Sequence, residues 1–186
     1  ANGLAGTKKY GLKELGNRAF LNQVTRVRFE GGKARKPEFL DLEPLPPQNP
    51  ADGMALATPF AIEVSGDDST LFVSAAGSDK VFSMDAKSGK VLGRVKVGAV
   101  PRGIALSPAQ GGKPQRAWVL NAVENSVSVL DVSNPRSLRV VRTIPLEDPT
   151  HPEFKAGRIA FNQADFSSTK SFSCASCHPD GHTDQL

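Results

Sequence analysis

Ala99-Val100-Pro101-Arg102-Gly103-Ile104-Ala105-Leu106-Ser107-Pro108, then Ala117-Trp118-Val119-Leu120-Asn121, then Asn125-Ser126-Val127-Ser128-Val129-Leu130-Asp131, is a pattern the chain has already used once. Laid on residues 59–97, Ile104 falls on Ile62, Leu106 on Val64 and Ser107 on Ser65, each 42 residues apart. The spacing then becomes 46: Trp118 meets Phe72, Val119 meets Val73, Val127 meets Val81, Leu130 meets Met84 and Asp131 meets Asp85. A single four-residue insertion around Gln110-Gly111-Gly112-Lys113 accounts for the change. An internal repeat of this length governs the whole fold. The second unit reads as four short strands, at 103–106, 117–121, 126–131 and 139–144. The third alternates, with Val127 and Val129 on one side and Ser126 and Ser128 on the other, the period of a strand. Asp-Ala-Lys-Ser-Gly at 85–89 and Asp-Val-Ser-Asn-Pro at 131–135 supply turn chemistry at matching places.

Four strands in about 40–45 residues make one blade of a β-propeller. The quoted residues look like the YVTN-type blade, a family resembling seven-bladed propellers of bacterial secreted and surface proteins. The resemblance covers residues 59–146 and speaks to fold more than to function. Upstream, Arg18-Ala19-Phe20-Leu21-Asn22 echoes Arg116–Asn121. An alternating segment follows, with Thr25, Val27 and Phe29 on one face, then a Gly31-Gly32 turn and a strand near 37–42. This reads as the later part of a preceding blade, and the proline-rich stretch 43–54 as a loop between blades. The expectation is a mainly β fold of about two and a half four-stranded blades, near 10–42, 59–98 and 100–146. A ring closes with four to eight blades. The segment is therefore expected to belong to a longer polypeptide or to a ring completed by other chains. In this register Trp118 is expected between blades, at the place Phe72 holds in its own. Met84 belongs to the core, and Arg102 with its equivalent Phe60 lines the central channel.

The chain has 186 residues, 39% of them hydrophobic and 23% charged, enough for a core and unlike a disordered tail. Its 17 glycines and 14 prolines favour turns over long helices. No run of 18 apolar residues is present, so no transmembrane helix is encoded. A net charge of +4 falls short of a nucleic-acid-binding balance, and no nucleic-acid partner is expected. Arg26, Arg28, Lys33, Arg35 and Lys36 form a basic cluster, read as a solvated strand face or a dock for an acidic partner.

After Leu146 the character changes. Residues 147–156 read as a linker, and Glu153 to Phe161 as a short helix. Residues 166–172 form a Ser-rich loop, and Cys174-Ala175-Ser176-Cys177-His178 follows. This is the spacing of covalent haem attachment. Thiols three apart share a helix face and reach the two vinyl groups of one porphyrin. The next residue, His178, offers its imidazole to the iron. A thioredoxin-like dithiol, a zinc site with His182 as fourth ligand, and a plain disulfide remain as alternatives. Gly157-Arg158-Ile159-Ala160-Phe161-Asn162, Ser167-Ser168 and Ser173–His178 are similar to the first haem domain of the bacterial di-haem cytochrome c peroxidase superfamily. Ala160-Phe161 departs from that family's Leu-Phe. The tail Pro179-Asp180-Gly181-His182-Thr183-Asp184 looks like the version fused behind β-propellers in secreted cytochromes.

The resemblance implies the start of an α-helical cytochrome c domain over 157–186. It implies haem c held covalently by Cys174 and Cys177, with its iron on His178. The function it implies is electron transfer in the bacterial cell envelope, periplasmic or extracellular, with the propeller as docking scaffold. The partner would be a redox protein or the remainder of a longer chain or complex. A peroxidase-like di-haem enzyme and a propeller that only binds partners are the alternatives. The distal ligand separates the first two, and neither His151, His182 nor Met54 is assigned that role. No catalytic residue is assigned.

Overall fold

A computed structural model describes residues 2–3, 20–45 and 48–182. Its centre is two four-stranded antiparallel sheets. The first runs β7 (Pro59–Val64), β8 (Thr70–Ala75), β9 (Lys80–Asp85) and β10 (Val91–Lys96). The second runs β11 (Pro101–Leu106), β12 (Arg116–Asn121), β13 (Ser126–Asp131) and β14 (Arg139–Pro145). Each strand pairs with the next in sequence. The register repeats too: Phe72 lies opposite Ser83, and Trp118 opposite Val129.

Backbone conformation recurs at both offsets seen in the sequence. Thr58 (φ 55°) and Val100 (φ 59°), 42 apart, are left-handed residues just before the proline that opens an inner strand. For β-branched residues this is a rare and costly conformation. Each is held in place by a side chain from the preceding unit, since Thr58 N–H donates to Asn22 Oδ1 (3.0 Å) and Val100 N–H to Asp79 Oδ1 (2.9 Å). Asp79 (φ 52°) and Asn125 (φ 56°), 46 apart, occupy matching turns. The insertion between the offsets is the hairpin Gln110–Lys113, turned by the left-handed glycines Gly111 and Gly112.

The two sheets pack face to face. Phe72 and Val81 of the first meet Ile104, Ala117, Val119 and Leu130 of the second. Ser83 Oγ donates to the carbonyl of Pro135 across the same interface. Here the alternation of β13 resolves in a direction the sequence left open. The serines are the inward residues, and Asn121 Nδ2 donates to Ser126 Oγ (2.8 Å) and Ser128 Oγ (2.9 Å). Buried hydroxyls are tolerated because they are bonded. Val127 and Val129 face the other way, beside the exposed Trp118 and Leu120.

Trp118 corrects an expectation. It shares its repeat position and register with Phe72, but it is 40% exposed where Phe72 is 1% exposed. The reason is stacking order: the second sheet covers the first, and no described sheet covers the second. Met84 and Leu130, another equivalent pair, are both fully buried.

On its far side the first sheet packs Leu71, Val73, Phe82 and Met84 against Val24, Leu40, Leu42 and Leu56. This preceding region contains β1 (Asn2–Gly3) paired with β2 (Phe20–Leu21), β3 (Gln23–Arg26) paired with β6 (Glu38–Asp41), and the hairpin β4 (Phe29–Glu30) with β5 (Lys33–Ala34). Among the described residues it forms two-stranded pairs, not a four-stranded sheet. Arg18, Ala19, Pro46, Pro47, Thr183 and Asp184 lie outside the described residues. Val24 turns inward, so Thr25, Val27 and Phe29 face solvent. The basic cluster here is largely paired: Arg26 with Glu38 (2.8 Å), Arg28 with Glu38 (4.0 Å) and Arg35 with Glu30 (2.7 Å). No helix among the described residues is long and apolar enough to cross a membrane.

Candidate functional site

The residues after β14 fold back onto one end of the sheets. β14 delivers the chain to the end that carries the turns 76–79, 97–100 and 122–125. Helix α1 (Pro152–Asn162) starts there. His151 caps it, its Nδ1 accepting from Glu153 N–H at 3.4 Å, and Pro152 takes a position where no N–H is needed. The Lys155 ammonium, 3.0 Å from Asp148, and the Thr150 N–H hold that carboxyl well below the usual carboxylate range.

Several contacts fix this segment to the propeller-like body. Ile159 packs on Ala76, Ala99, Val100 and Val123. Gln163 Nε2 donates to Asp79 Oδ2 (2.7 Å), the carboxylate whose other oxygen holds Val100. Asn22 Nδ2 donates to the buried Ser171 carbonyl (2.9 Å), and Phe172 stacks on Phe20 with ring centroids 5.6 Å apart. Lys170 pairs with Asp52 at 2.8 Å.

The cysteines occupy a one-turn helix, α2 (Cys174–Cys177). Ser176 Oγ accepts from Ser173 N–H (3.0 Å), and His178 N–H donates to the Cys174 carbonyl (2.9 Å). Cys174 is exposed and Cys177 half-buried, and no disulfide joins them. Next comes a tight turn with Asp180 (φ 53°) and Gly181 (φ 80°) both left-handed. It returns the His182 carbonyl to 3.0 Å from His178 Nδ1. A carbonyl only accepts, so Nδ1 is the donor and Nε2 takes no part in this bond. His182 therefore acts through its backbone.

Among the described residues no three His, Cys, Asp or Glu side chains gather as a metal-holding group. A dithiol site of thioredoxin type wants a preceding strand, and Ser167–Ser173 forms none.

A cleft of about 570 Å³ opens beside the turn. Helix α1 presents Phe154, Gly157, Arg158 and Phe161 to it, β11 presents Arg102, and Asp180 and Gly181 close one end. Spacings of three and four place the helical residues on one face. A Cβ on Gly157 would meet nothing within 4 Å. Arg102 lies over the ring of Phe60, its equivalent in the repeat (5.1 Å), and reaches Asp180 at 3.4 Å. Its Nε is buried with no hydrogen-bond partner among the described residues. The pairing of Arg102 with Asp180, 78 residues apart, and the His178–His182 bond left no mark in the sequence. The Phe154, Gly157, Arg158, Phe161 spacing was a signal that sequence reasoning missed.

No family model and no curated protein matches the chain. Solved structures do. The Pseudomonas aeruginosa periplasmic gluconolactonase PpgL matches with TM-score 0.51 and 25% identity, over 72% of this chain and 37% of that one. The β-propeller domain of Swd1 from Myceliophteria thermophila matches with TM-score 0.52 and 16% identity, over 69% and 42%. Kuenenia stuttgartiensis hydrazine synthase shares 36% identity over 48% of this chain and 24% of that one, with TM-score 0.42. A superposition of that quality carries no functional argument. The chain thus spans less than half the length of each neighbour. The gluconolactonase and Swd1 likenesses and the repeat define the class: the fold is that of a β-propeller, with two four-stranded sheets among the described residues.

Proposed function

We propose that the chain binds haem c covalently and serves electron transfer in the bacterial cell envelope, periplasmic or extracellular, with the propeller as docking scaffold for a redox partner. In this reading residues 1–146 are the propeller part, 147–156 the linker and 157–186 the beginning of a cytochrome c domain. The observation that carries it is the state of His178: its Nδ1 is committed to the His182 carbonyl, and Nε2 is left as a ligand one residue beyond the two thiols. Such a bond fixes the tautomer and raises the basicity of a metal-ligating imidazole. The donor set also fits: two thiols on one helical turn and an imidazole held through its Nδ1.

Bound haem would supply a one-electron couple. Cys174 and Cys177 would hold the ring as thioethers, each thiol adding to a vinyl group with its hydrogen going to the neighbouring carbon and nothing lost. His178 would hold the iron, Phe154 and Phe161 would shield the ring from water, and the αL turn at Asp180-Gly181 would orient the imidazole.

The test is expression of the chain with a c-type maturation system. Denaturing mass spectrometry should show one haem mass added, and a pyridine haemochrome should report two thioethers. Cys174→Ala with Cys177→Ala should abolish both. His182→Ala keeps the carbonyl and should leave the spectrum unchanged, whereas His178→Ala should lose the axial band pattern. Unmodified thiols in protein matured this way would defeat the proposal.

A further inference from the structure

We infer that Lys80, Arg94 and Lys96 on the first sheet form a binding site for a phosphate group, carried by free phosphate or by a small phosphomonoester. The site includes no residue of the cysteine-bearing turn and stands apart from the haem reading.

The register brings the three cations together. Lys80 of β9 lies directly opposite Lys96 of β10, and Arg94 lies opposite Phe82. Phe82 is two residues from Lys80, and Arg94 two from Lys96, so all four side chains leave the sheet on one side. Phe82 packs there on the preceding region. Opposite residues of an antiparallel pair have Cα atoms about 4.5–5.5 Å apart, and alternate residues of one strand are about 7 Å apart. Three long cationic side chains can therefore converge on one ligand. Like charges placed directly opposite each other destabilise a sheet.

The protein leaves this charge unanswered. Among the described residues no carboxylate stands within ion-pair distance of Lys80, Arg94 or Lys96. Glu43 acts on Lys80 and Arg94 from farther away. Its two oxygens are engaged by the Leu56 N–H (2.8 Å) and Asn22 Nδ2 (3.0 Å). Lys80 Nζ donates to the Ala55 carbonyl (2.9 Å), a neutral partner. Arg94 Nε is buried and has no hydrogen-bond partner among the described residues, a costly state for a donor. Burial pushes the Lys80 ammonium and the Arg94 guanidinium down from their ordinary values. By contrast, Arg26, Arg28 and Arg35 of the basic cluster at 26–36 have carboxylates of their own.

A phosphate dianion meets each deficit. It carries two charges and enough acceptor oxygens for a guanidinium fork and two ammonium groups together. A carboxylate brings one charge and two oxygens, and chloride offers a fork no matching geometry. A phosphomonoester, with its second pKa at about 6, is largely a dianion at neutral pH.

The experiment titrates the full chain at neutral pH with inorganic phosphate and, separately, with glycerol phosphate, at ionic strength fixed by chloride and followed by phosphorus NMR. Saturable binding is expected, weakened about tenfold or more in Arg94→Gln and in Lys96→Gln. Arg94→Lys, which keeps the charge without the fork, should fall between and covers the case in which Arg94→Gln fails to fold. Arg142→Gln removes the same charge from the second sheet and should leave binding unchanged. Tighter binding of one ligand identifies the source, free ion or monoester. Thermal denaturation adds a readout that a merely structural cluster would not give. Without phosphate, Lys96→Gln should melt higher than the parent chain, because the charge opposite Lys80 is gone. Phosphate should then raise the melting temperature of the parent chain more than that of the variant. Absence of saturable binding by either ligand overturns the inference. So does Arg142→Gln binding as weakly as Arg94→Gln, or Lys96→Gln melting lower than the parent in chloride alone.

Discussion

Phe72 and Trp118 occupy one repeat position in two environments, which makes a paired truncation informative. Phe72 is 1% exposed. An aromatic side chain buries about 150–250 Å², which at about 25 cal/mol per Å² corresponds to about 4–6 kcal/mol. Alanine retains part of that, so Phe72→Ala should cost about 3–5 kcal/mol. Trp118 is larger, but it is 40% exposed and no described sheet lies beyond it. Trp118→Ala should cost about 2–3 kcal/mol, with no enclosed cavity left behind. The smaller ring thus costs more to remove, the reverse of what size alone dictates. Urea unfolding followed by circular dichroism reads both values, with similar slopes expected for the two variants. Trp118 is the sole tryptophan, so its emission gives an independent check. It should be solvent-shifted and readily quenched by acrylamide in the native chain. Phe72→Leu, which keeps most of the volume, covers the case in which Phe72→Ala fails to fold. Equal costs at the two positions, or a blue-shifted and protected tryptophan, would refute the stacking order described above.

Gly93→Ala should destabilise by about 1–3 kcal/mol, because its Cβ would lie 2.5 Å from the Pro135 carbonyl oxygen, backbone of the neighbouring blade; thermal denaturation checks this. Gly157→Ala meets open space and should stabilise the haem-free chain by about 0.5–1 kcal/mol through helix propensity, read in the same assay. Asp131 accepts from Ser133 Oγ (2.7 Å) and Arg139 (2.7 Å), which hold its carboxyl well below the usual range, and Asp67 is held at about 2 by Ser65 and Ser69. Both are depressed, so their stabilisation is complete above the unfolded value of about 3.9 and drains away as pH falls below it. The urea midpoint should drop as pH falls from about 4 toward 2, and Asp131→Asn should flatten that drop.

What could be read in advance divides along physical lines. The 42 and 46 spacings and the strands they imply were legible, because a repeated backbone needs apolar and turn residues at repeated places. Which face of β13 is buried was not. Alternation defines two faces without ranking them, and the inward serines are satisfied by Asn121 from a different strand. Trp118 shows the same limit from the other side, since burial depends on a neighbour and sequence position alone does not supply one. At the proposed site, Cys174, Cys177 and His178 stand out because their spacing is local. Arg102 and Asp180 meet only through the fold.

An even number of strands per blade gives the molecule two unlike ends. The chain enters β11 and leaves β14 on the same side, so the cysteine-bearing segment needs only a short connection to reach the turns it sits on. The insertion at Gln110–Lys113 lies at the opposite end, against the turn at Gly66-Asp67. Gly112 is wedged there, since a Cβ would stand 2.7 Å from Asp67 Cβ, but Gly111 points into open space. A linker spliced in at Gly111 would anchor the molecule to an electrode or a bead with its cysteine pair turned outward, ready for immobilised voltammetry.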